Sequence, residues 1–154
     1  MNMKVKIMRK IKVESMSQED IQDIVDIEKT TFSIPWTYES FIQELANPHA
    51  HYIVLKCDDH LIGYGGFWKI LDEGHITNVA ITSTYRGLGY GTMLIKALLQ
   101  EAKKLKIQQL TLEVRESNLR AIKAYEQLGF TIEGRRRRYY TKPIEDAMIM
   151  WLSL

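Results

Sequence analysis

Three glycines at alternate positions, in Arg86-Gly-Leu-Gly-Tyr-Gly91, stand between a β-leaning apolar run and a run with helical spacing. The upstream run is His75-Ile-Thr-Asn-Val-Ala-Ile81. Downstream, from Thr92 to Leu105, the residues Met93, Leu94, Ala97, Leu98, Ala102 and Leu105 recur as they would along one helical face. A second β run, Leu110-Thr-Leu-Glu-Val114, follows, and then a short helical segment from Asn118 to Leu128 closed by Gly129. From His75 to Phe130 the chain thus reads strand, glycine turn, helix, strand, helix, and the remaining elements must arrange around that crossover. Residues without a Cβ let backbone N–H groups come close to a ligand, and a helix start adds unpaired N–H groups and a partial positive charge. The guest such a turn suits is a phosphate or pyrophosphate.

Glycine spacing alone also fits a tight turn with no ligand. A nucleoside-triphosphate loop needs Gly-x-x-x-x-Gly-Lys-Ser/Thr, and neither that spacing nor the lysine is present. A dinucleotide fingerprint needs Gly-x-Gly-x-x-Gly with an acidic residue about 20 positions on. Glu113 falls near enough for that, but Gly91 comes one position early and the chain has no second such unit. With 154 residues, 45% of them hydrophobic, residues 1–154 are expected to form a single domain with its own core. A net charge of +2 makes no case for direct nucleic-acid binding. The lone Cys57 rules out an internal disulfide framework and fits a reducing compartment. No apolar run approaches the roughly 18 residues of a membrane span, and the basic N-terminus lacks the apolar block of a signal peptide. The expectation is a cytoplasmic protein without membrane association, a monomer or weak dimer.

In chain order, Lys4 to Val13 alternates charged and apolar residues as a strand would. Ser17-Gln-Glu-Asp20 reads as an N-cap with an acid at the third helical position. Ile21, Ile24, Val25 and Glu28 continue at helical spacing to about Thr31, where Ser33-Ile-Pro-Trp36 interrupts. Thr37 caps a short helix carrying Phe41, Ile42 and Leu45, which Asn47-Pro48 ends. Two strands, His51 to Cys57 and His60 to Ile70, form a hairpin across Asp58-Asp59. Asp72-Glu-Gly74 is read as the turn before the His75 to Ile81 strand. After the crossover, Phe130 to Glu133 and Arg136 to Tyr140 make one long or bent strand, Thr141 to Glu145 a turn, and Ala147 to Leu152 the last strand. This order predicts an α/β fold: a mixed, mostly antiparallel sheet of about seven strands, helices on both faces, and one βαβ crossover.

Several side chains stand out chemically. Glu113 lies between Leu112 and Val114, on the strand face opposite Leu110, Leu112 and Val114. A carboxylate in so apolar a segment is costly unless it is solvated, used in chemistry, or paired with an arginine or lysine. Asn118 and Tyr125, seven positions apart, share a helical face about 10 Å from each other; as isolated residues they read equally as a helix cap and a core aromatic. Arg135 to Arg138 alternate faces in a strand, which favours solvated or ion-paired arginines over docking on an acidic partner or RNA. His49, His51, His60 and His75 show no metal-ligand spacing, and His51 and His60 are expected at the surface. Cys57 as an acyl-enzyme nucleophile lacks an identifiable base.

The turn resembles motif A of the GNAT acetyltransferases, Arg/Gln-x-x-Gly-x-Gly/Ala, filled by Arg86, Gly89 and Gly91. Leu112-Glu-Val-Arg-Glu-Ser-Asn118 and Ala-Tyr-Glu-Gln-Leu-Gly-Phe130 resemble the corresponding phrases of the RimI-type ribosomal-protein-alanine N-acetyltransferases. Ser33-Ile-Pro-Trp36 is similar to their Phe-Pro-Trp turn, and Arg137-Arg-Tyr-Tyr140 with Pro143 and Glu145-Asp-Ala-Met148 is similar to their ending. Arg86 stands where many members have glutamine and Ile34 where they have phenylalanine, and the second bears on acceptor preference.

The resemblance implies the GNAT fold over essentially the whole chain, acetyl-coenzyme A as cosubstrate, no metal, and a protein N-terminus, ribosomal by analogy, as acceptor. It implies Glu113 as general base and Tyr125 as general acid. Cofactor contacts are expected from Arg86, Gly87, Leu88, Gly89, Tyr90, Gly91 and Thr92, from Asn118, and from Val79, Ala80 and Ile81, where a free N–H of Val79 or Ile81 would polarise the thioester. Pro35, Trp36, Tyr139 and Tyr140 are expected to shape the acceptor groove. Acetylation of a lysine or a small amine, and a non-catalytic acetyl-coenzyme A sensor, are the alternatives.

Overall fold

A computed structural model describes residues 9–154. Seven strands form one sheet: β1 (Ile11–Ser15), β2 (Ala50–Cys57), β3 (His60–Ile70), β4 (Glu73–Ile81), β5 (Gln109–Arg115), β6 (Thr131–Thr141) and β7 (Ile144–Ser153). Their order across the sheet is β1-β2-β3-β4-β5-β7-β6. Every neighbouring pair is antiparallel except β4 and β5, which the glycine turn and a helix connect. The helices are α1 (Ile21–Thr31), α2 (Tyr38–Ala46), α3 (Tyr90–Lys104) and α4 (Leu119–Gln127).

Two cores lie on opposite sheet faces. Leu94, Leu98 and Ala102 of α3 and Ile122 of α4 pack with Leu110, Leu112 and Val114. On the other face, Ile21, Ile24 and Val25 of α1 and Phe41 of α2 pack with Val54, Tyr64 and Ala80. This second layer covers β2 to β4 and leaves the β5-β7-β6 side of its face to the site described below.

Local chemistry accounts for most boundaries. The Ser17 backbone N–H donates to the Asp20 carboxylate at 2.9 Å, opening a 3₁₀ turn that leads into α1. The Ser40 N–H donates to Thr37 Oγ1 at 3.2 Å and caps α2. Asp58 and Asp59 take φ of 49° and 66°, the left-handed pair that a two-residue hairpin requires and that aspartate tolerates.

Four boundaries differ from expectation. The first strand was expected over Lys4 to Val13; residues 4–8 lie outside the described residues, and β1 begins at Ile11 and reaches Ser15. The turn expected at Asp72-Glu-Gly74 sits at Leu71-Asp72, with Leu71 at φ 56°, so Glu73 and Gly74 belong to β4. Gly74 serves close packing rather than turning: a Cβ there would lie 2.5 Å from Leu110 Cδ2, where β4 meets β5. The last turn narrows to Lys142-Pro143, since Thr141 already pairs with Ile144. In β6 the pairing slips around Gly134 and again between Arg136 and Tyr140, where Arg138 takes φ 53° and its N–H donates to Asp146 Oδ1 at 2.9 Å.

Candidate active site

The parallel pairing of β4 and β5 is confined to Glu73–Gln109, Gly74–Leu110 and His75–Thr111; beyond it the strands part. The Thr82 N–H donates to Ile62 O at 2.8 Å on the β3 side. Amides alternate sides along a strand, so the N–H groups of Val79 and Ile81 face the fork while Ala80 faces β3. The carbonyl of Ile81 bears this out, accepting from Arg86 Nε at 2.8 Å on the fork side.

At the top of the fork the glycine turn opens onto the start of α3. Gly87 and Gly89 take φ of 76° and 89°, and a Cβ built on either meets nothing within 4 Å. These positions form a bare cradle beside a 15-residue helix whose first amides lack intrahelical partners. Free amides at a helix start are donors of the kind a phosphate group accepts from. Arg86 is a brace within this region: besides Ile81 O, it reaches Thr31 Oγ1 with Nη2 at 3.0 Å. Leu88 is exposed, and Tyr90 packs its ring near Tyr85 at 6.0 Å. Asn118 is the N-cap of α4, its Oδ1 accepting from the Ala121 N–H at 3.2 Å.

Glu113, two residues beyond the last β4–β5 pair, has a side chain 9% exposed. Its Oε2 lies 2.6 Å from His75 Nε2, and its Oε1 accepts from Arg136 Nε at 3.2 Å. Burial alone would push its carboxyl up, but the bond to His75 and the charge of Arg136 outweigh it and hold the group below the usual carboxylate range. The carboxylate lines a cleft of about 340 Å³ with His75, Thr111, Arg136, Ile149 and Trp151, on the sheet face opposite α3 and α4. Tyr125, on α4, is buried with its ring edge-on to Phe130 at 5.4 Å. Burial, and then the neighbouring Tyr140, raise its phenol so that it stays protonated at neutral pH.

Two further segments approach each other across Arg115. One is the α1–α2 loop with Pro35 and Trp36, the indole tilted on Phe41 at 5.6 Å. The other is the β6–β7 hairpin with Tyr139 and Tyr140, edge to face at 5.0 Å. Tyr140 is pushed up to about 12, chiefly by burial. Arg115 joins the two: it stacks over Tyr140 at 4.2 Å, pairs with Glu145 at 3.0 Å, and reaches Ser33 Oγ at 3.4 Å.

Of the expected residues, Val79, Ile81 and the glycine turn stand at the fork and Glu113 just past its last pair, while Tyr125 lies in the α3–α4 core and Asn118 caps α4; the side-chain partners were not anticipated. His75, Arg136 and Arg115 were not expected in the site; an acid in an apolar strand was the available signal that a partner existed. Glu28 was assigned only to a helix face, yet it is fully buried. It accepts from the Trp36 N–H at 3.0 Å, from Asn78 Nδ2 at 2.7 Å and from the Tyr64 hydroxyl. Its appearance among apolar residues at helical spacing was the clue. Two of the four arginines in the run form ion pairs, Arg135 with Glu116 and Asp146 and Arg136 with Glu113. His51, expected at the surface, is half-buried with its ring 5.3 Å from that of Phe67. Cys57 is 1% exposed, out of reach of a substrate.

The acetyltransferase (GNAT) family model matches residues 21–130. A Bacillus subtilis protein provisionally named a ribosomal protein bS18-alanine N-acetyltransferase is 42% identical over 146 residues, 94% of this chain and 97% of that protein. The ribosomal protein bS18-alanine N-acetyltransferase of Haemophilus influenzae is 35% identical over 136 residues, 85% of this chain and 90% of its own. The crystal structure of the Escherichia coli ribosomal-protein-S18-alanine N-acetyltransferase superposes with a TM-score of 0.87 at 31% identity, covering 94% of each chain. Fork, cradle and kinship agree: the chain belongs to the GNAT acetyltransferases, in their RimI-type branch.

Proposed function

We propose that this protein transfers the acetyl group of acetyl-coenzyme A to the N-terminal α-amino group of a protein, a ribosomal protein of the bS18 kind, with Glu113 on the base side and Tyr125 as acid. The observation that carries the reading is the Glu113 carboxylate, 9% exposed, at the point where β4 and β5 part. The bare turn at Gly87 and Gly89 and the first amides of α3 would hold the pyrophosphate, with Arg86 keeping the turn against Ile81. When bound there, acetyl-coenzyme A supplies the activated acyl group as a thioester.

This chain's own groups serve each demand of the reaction. An α-amino group, with a pKa of roughly 8, must shed a proton before it attacks. Glu113 is ionised at neutral pH, so it attracts the ammonium and stands on the side where its proton leaves through a water. A lysine ε-amine, at roughly 10.4, would cost about 3 kcal/mol more to deprotonate, which favours the α-amine. The N–H groups of Val79 and Ile81 donate to the carbonyl oxygen as negative charge develops on it. Tyr125, kept protonated by burial, delivers a proton to the departing thiolate. Pro35, Trp36, Tyr139 and Tyr140 hold the first residues of the acceptor.

The test is a pair of peptides of one sequence containing lysine, one with a free and one with a blocked N-terminus. Turnover of the free peptide alone is expected. Equal turnover of the blocked peptide would move the enzyme to the lysine-modifying class.

A further inference from the structure

Both oxygens of Glu113 are engaged, one with His75 Nε2 at 2.6 Å and one with Arg136 Nε at 3.2 Å. A carboxylate held on both sides by donors is a good anchor for positive charge and a poor place for a proton to rest. The proton shed by the amine needs another destination within the same cleft.

His75 offers one. It occupies the last paired position of β4, opposite Thr111, so its ring stands at the base of the fork. Its side chain is 29% exposed and lines the same cleft as Glu113. Trp68, cross-strand from it, sets its ring edge-on at 6.2 Å, and the Trp68 indole N–H is itself fixed by Glu44 at 2.6 Å. With Glu113 ionised, the nitrogen facing it must carry hydrogen, because two lone pairs at 2.6 Å would repel. In the neutral ring the lone pair then resides on Nδ1, the other nitrogen.

We infer that the base of this enzyme is the Glu113–His75 pair, and that the proton taken from the acceptor amine comes to rest on His75 Nδ1. The inference rests on the reading that Glu113 lies on the base side of the reaction. An N–H bond of the ammonium breaks, and its electron pair stays on nitrogen to attack the carbonyl. The proton crosses a water to Nδ1, and the resulting imidazolium donates through Nε2 to the Glu113 carboxylate, which remains ionised throughout. Glu113 thereby sets the tautomer and stabilises the charge, while the ring holds the proton. The charged groups around the ring are Glu113 from β5, Arg136 from β6, Glu73 on its own strand, and Glu44 behind Trp68; Tyr139, near Glu113, is the neighbouring phenol.

The test combines imidazole NMR with kinetics. Long-range ¹⁵N correlations on the wild-type protein without substrate should show the neutral His75 ring protonated at Nε2 and bare at Nδ1; a proton on Nδ1 instead overturns the inference. His75→Gln keeps an N–H donor for Glu113 and removes the base. It should lower kcat by about 10²-fold and remove the ring's share of the pH–rate profile, with KM and calorimetric affinity for acetyl-coenzyme A unchanged. His75→Asn should behave alike. Full kcat and an unchanged profile in both histidine variants, with Glu113→Gln inactive, would place the proton on Glu113 and refute the inference while leaving the proposed function intact. Near-normal kcat in the histidine variants and in Glu113→Gln would refute both.

Discussion

Arg136→Gln isolates one electrostatic contribution to the base. Arg136 Nε lies 3.2 Å from Glu113 Oε1, and the arginine side chain is 55% exposed. Two unit charges at that separation attract by about 5 kcal/mol at an effective dielectric of about 20. Water around the exposed guanidinium screens most of this, and ion pairs of that kind are worth about 0.2–1 kcal/mol. At about 1.36 kcal/mol per pKa unit, the surviving effect is about 0.15–0.7 of a unit. The sign follows from the chemistry. The cation favours the deprotonated carboxylate, so removing it raises the proton affinity at Glu113 and weakens the acid that the pair presents.

The assay is kcat/KM for a free-amine peptide, at saturating acetyl-coenzyme A, from about pH 5 to 9 to span imidazole and α-amine ionisation. The acid limb of Arg136→Gln should lie about half a pH unit above that of the wild type. Ionisation of the peptide amine is common to both curves and cancels in the comparison. The displacement should shrink with added salt, because screening shortens the reach of an exposed charge. An unmoved limb at low ionic strength, in a variant that still acetylates, would show that Arg136 does not act on the proton acceptor.

Three further outcomes are expected. Tyr125→Phe should slow turnover by up to about 10²-fold while leaving acetyl-coenzyme A affinity by calorimetry unchanged, because it deletes the hydroxyl alone. Gly89→Val should fold, since a Cβ there meets nothing within 4 Å, with about 1–2 kcal/mol of backbone strain at φ 89°; calorimetry should find acetyl-coenzyme A binding lost, and retained affinity would contradict the cradle. Glu28 has a raised pKa in the fold, first from burial. Its contribution to stability is therefore fully present below the ordinary glutamate value of about 4.3 and is lost as pH rises through the folded value. Urea unfolding at stepped pH should show Glu28→Gln lacking that decline relative to the wild type.

The legible parts of this molecule were those with local causes. A helix cap at Thr37, a hairpin turn at Asp58-Asp59 and apolar spacing along α3 need no distant partner, and each stands where it was expected. Gly74 misled because a glycine needed for strand approach and a glycine needed for a turn look the same along the chain. The site's electrostatics were hidden for another reason. His75 is 38 positions from Glu113, and Arg136 is 23 positions away on a strand whose pairing slips at that point. Alternation counts across a bulge give the wrong face, so the register that brings Arg136 to Glu113 could not be counted out. Arg86 shows a third limit: the motif gave no hint of the partners its guanidinium takes within the protein, Ile81 O and Thr31 Oγ1.

The α1–α2 loop raises the question of what holds a segment whose own apolar residues face outward. Phe32 and Ile34 are 36% and 58% exposed, so burial contributes little to the position of residues 32–34. Polar clamps take its place. Arg86 ties the end of α1 through Thr31 to the edge of the fork, Arg115 ties Ser33 to the β6–β7 hairpin, and Glu28 ties Trp36 to β4. The last is the most demanding, because a fully buried carboxylate is costly unless donors surround it. Here the backbone of Trp36, the amide of Asn78 and the hydroxyl of Tyr64 converge on it from three elements. A glutamine of the same shape would turn an N–H₂ toward one of these donors, leaving that donor unpaired. Asn78 immediately precedes Val79, whose N–H faces the fork, so one side chain links the α1–α2 loop to the strand proposed to polarise the carbonyl. Under the proposed function, a loop fixed in this way would need little further ordering on peptide binding, leaving binding energy for aligning the amine.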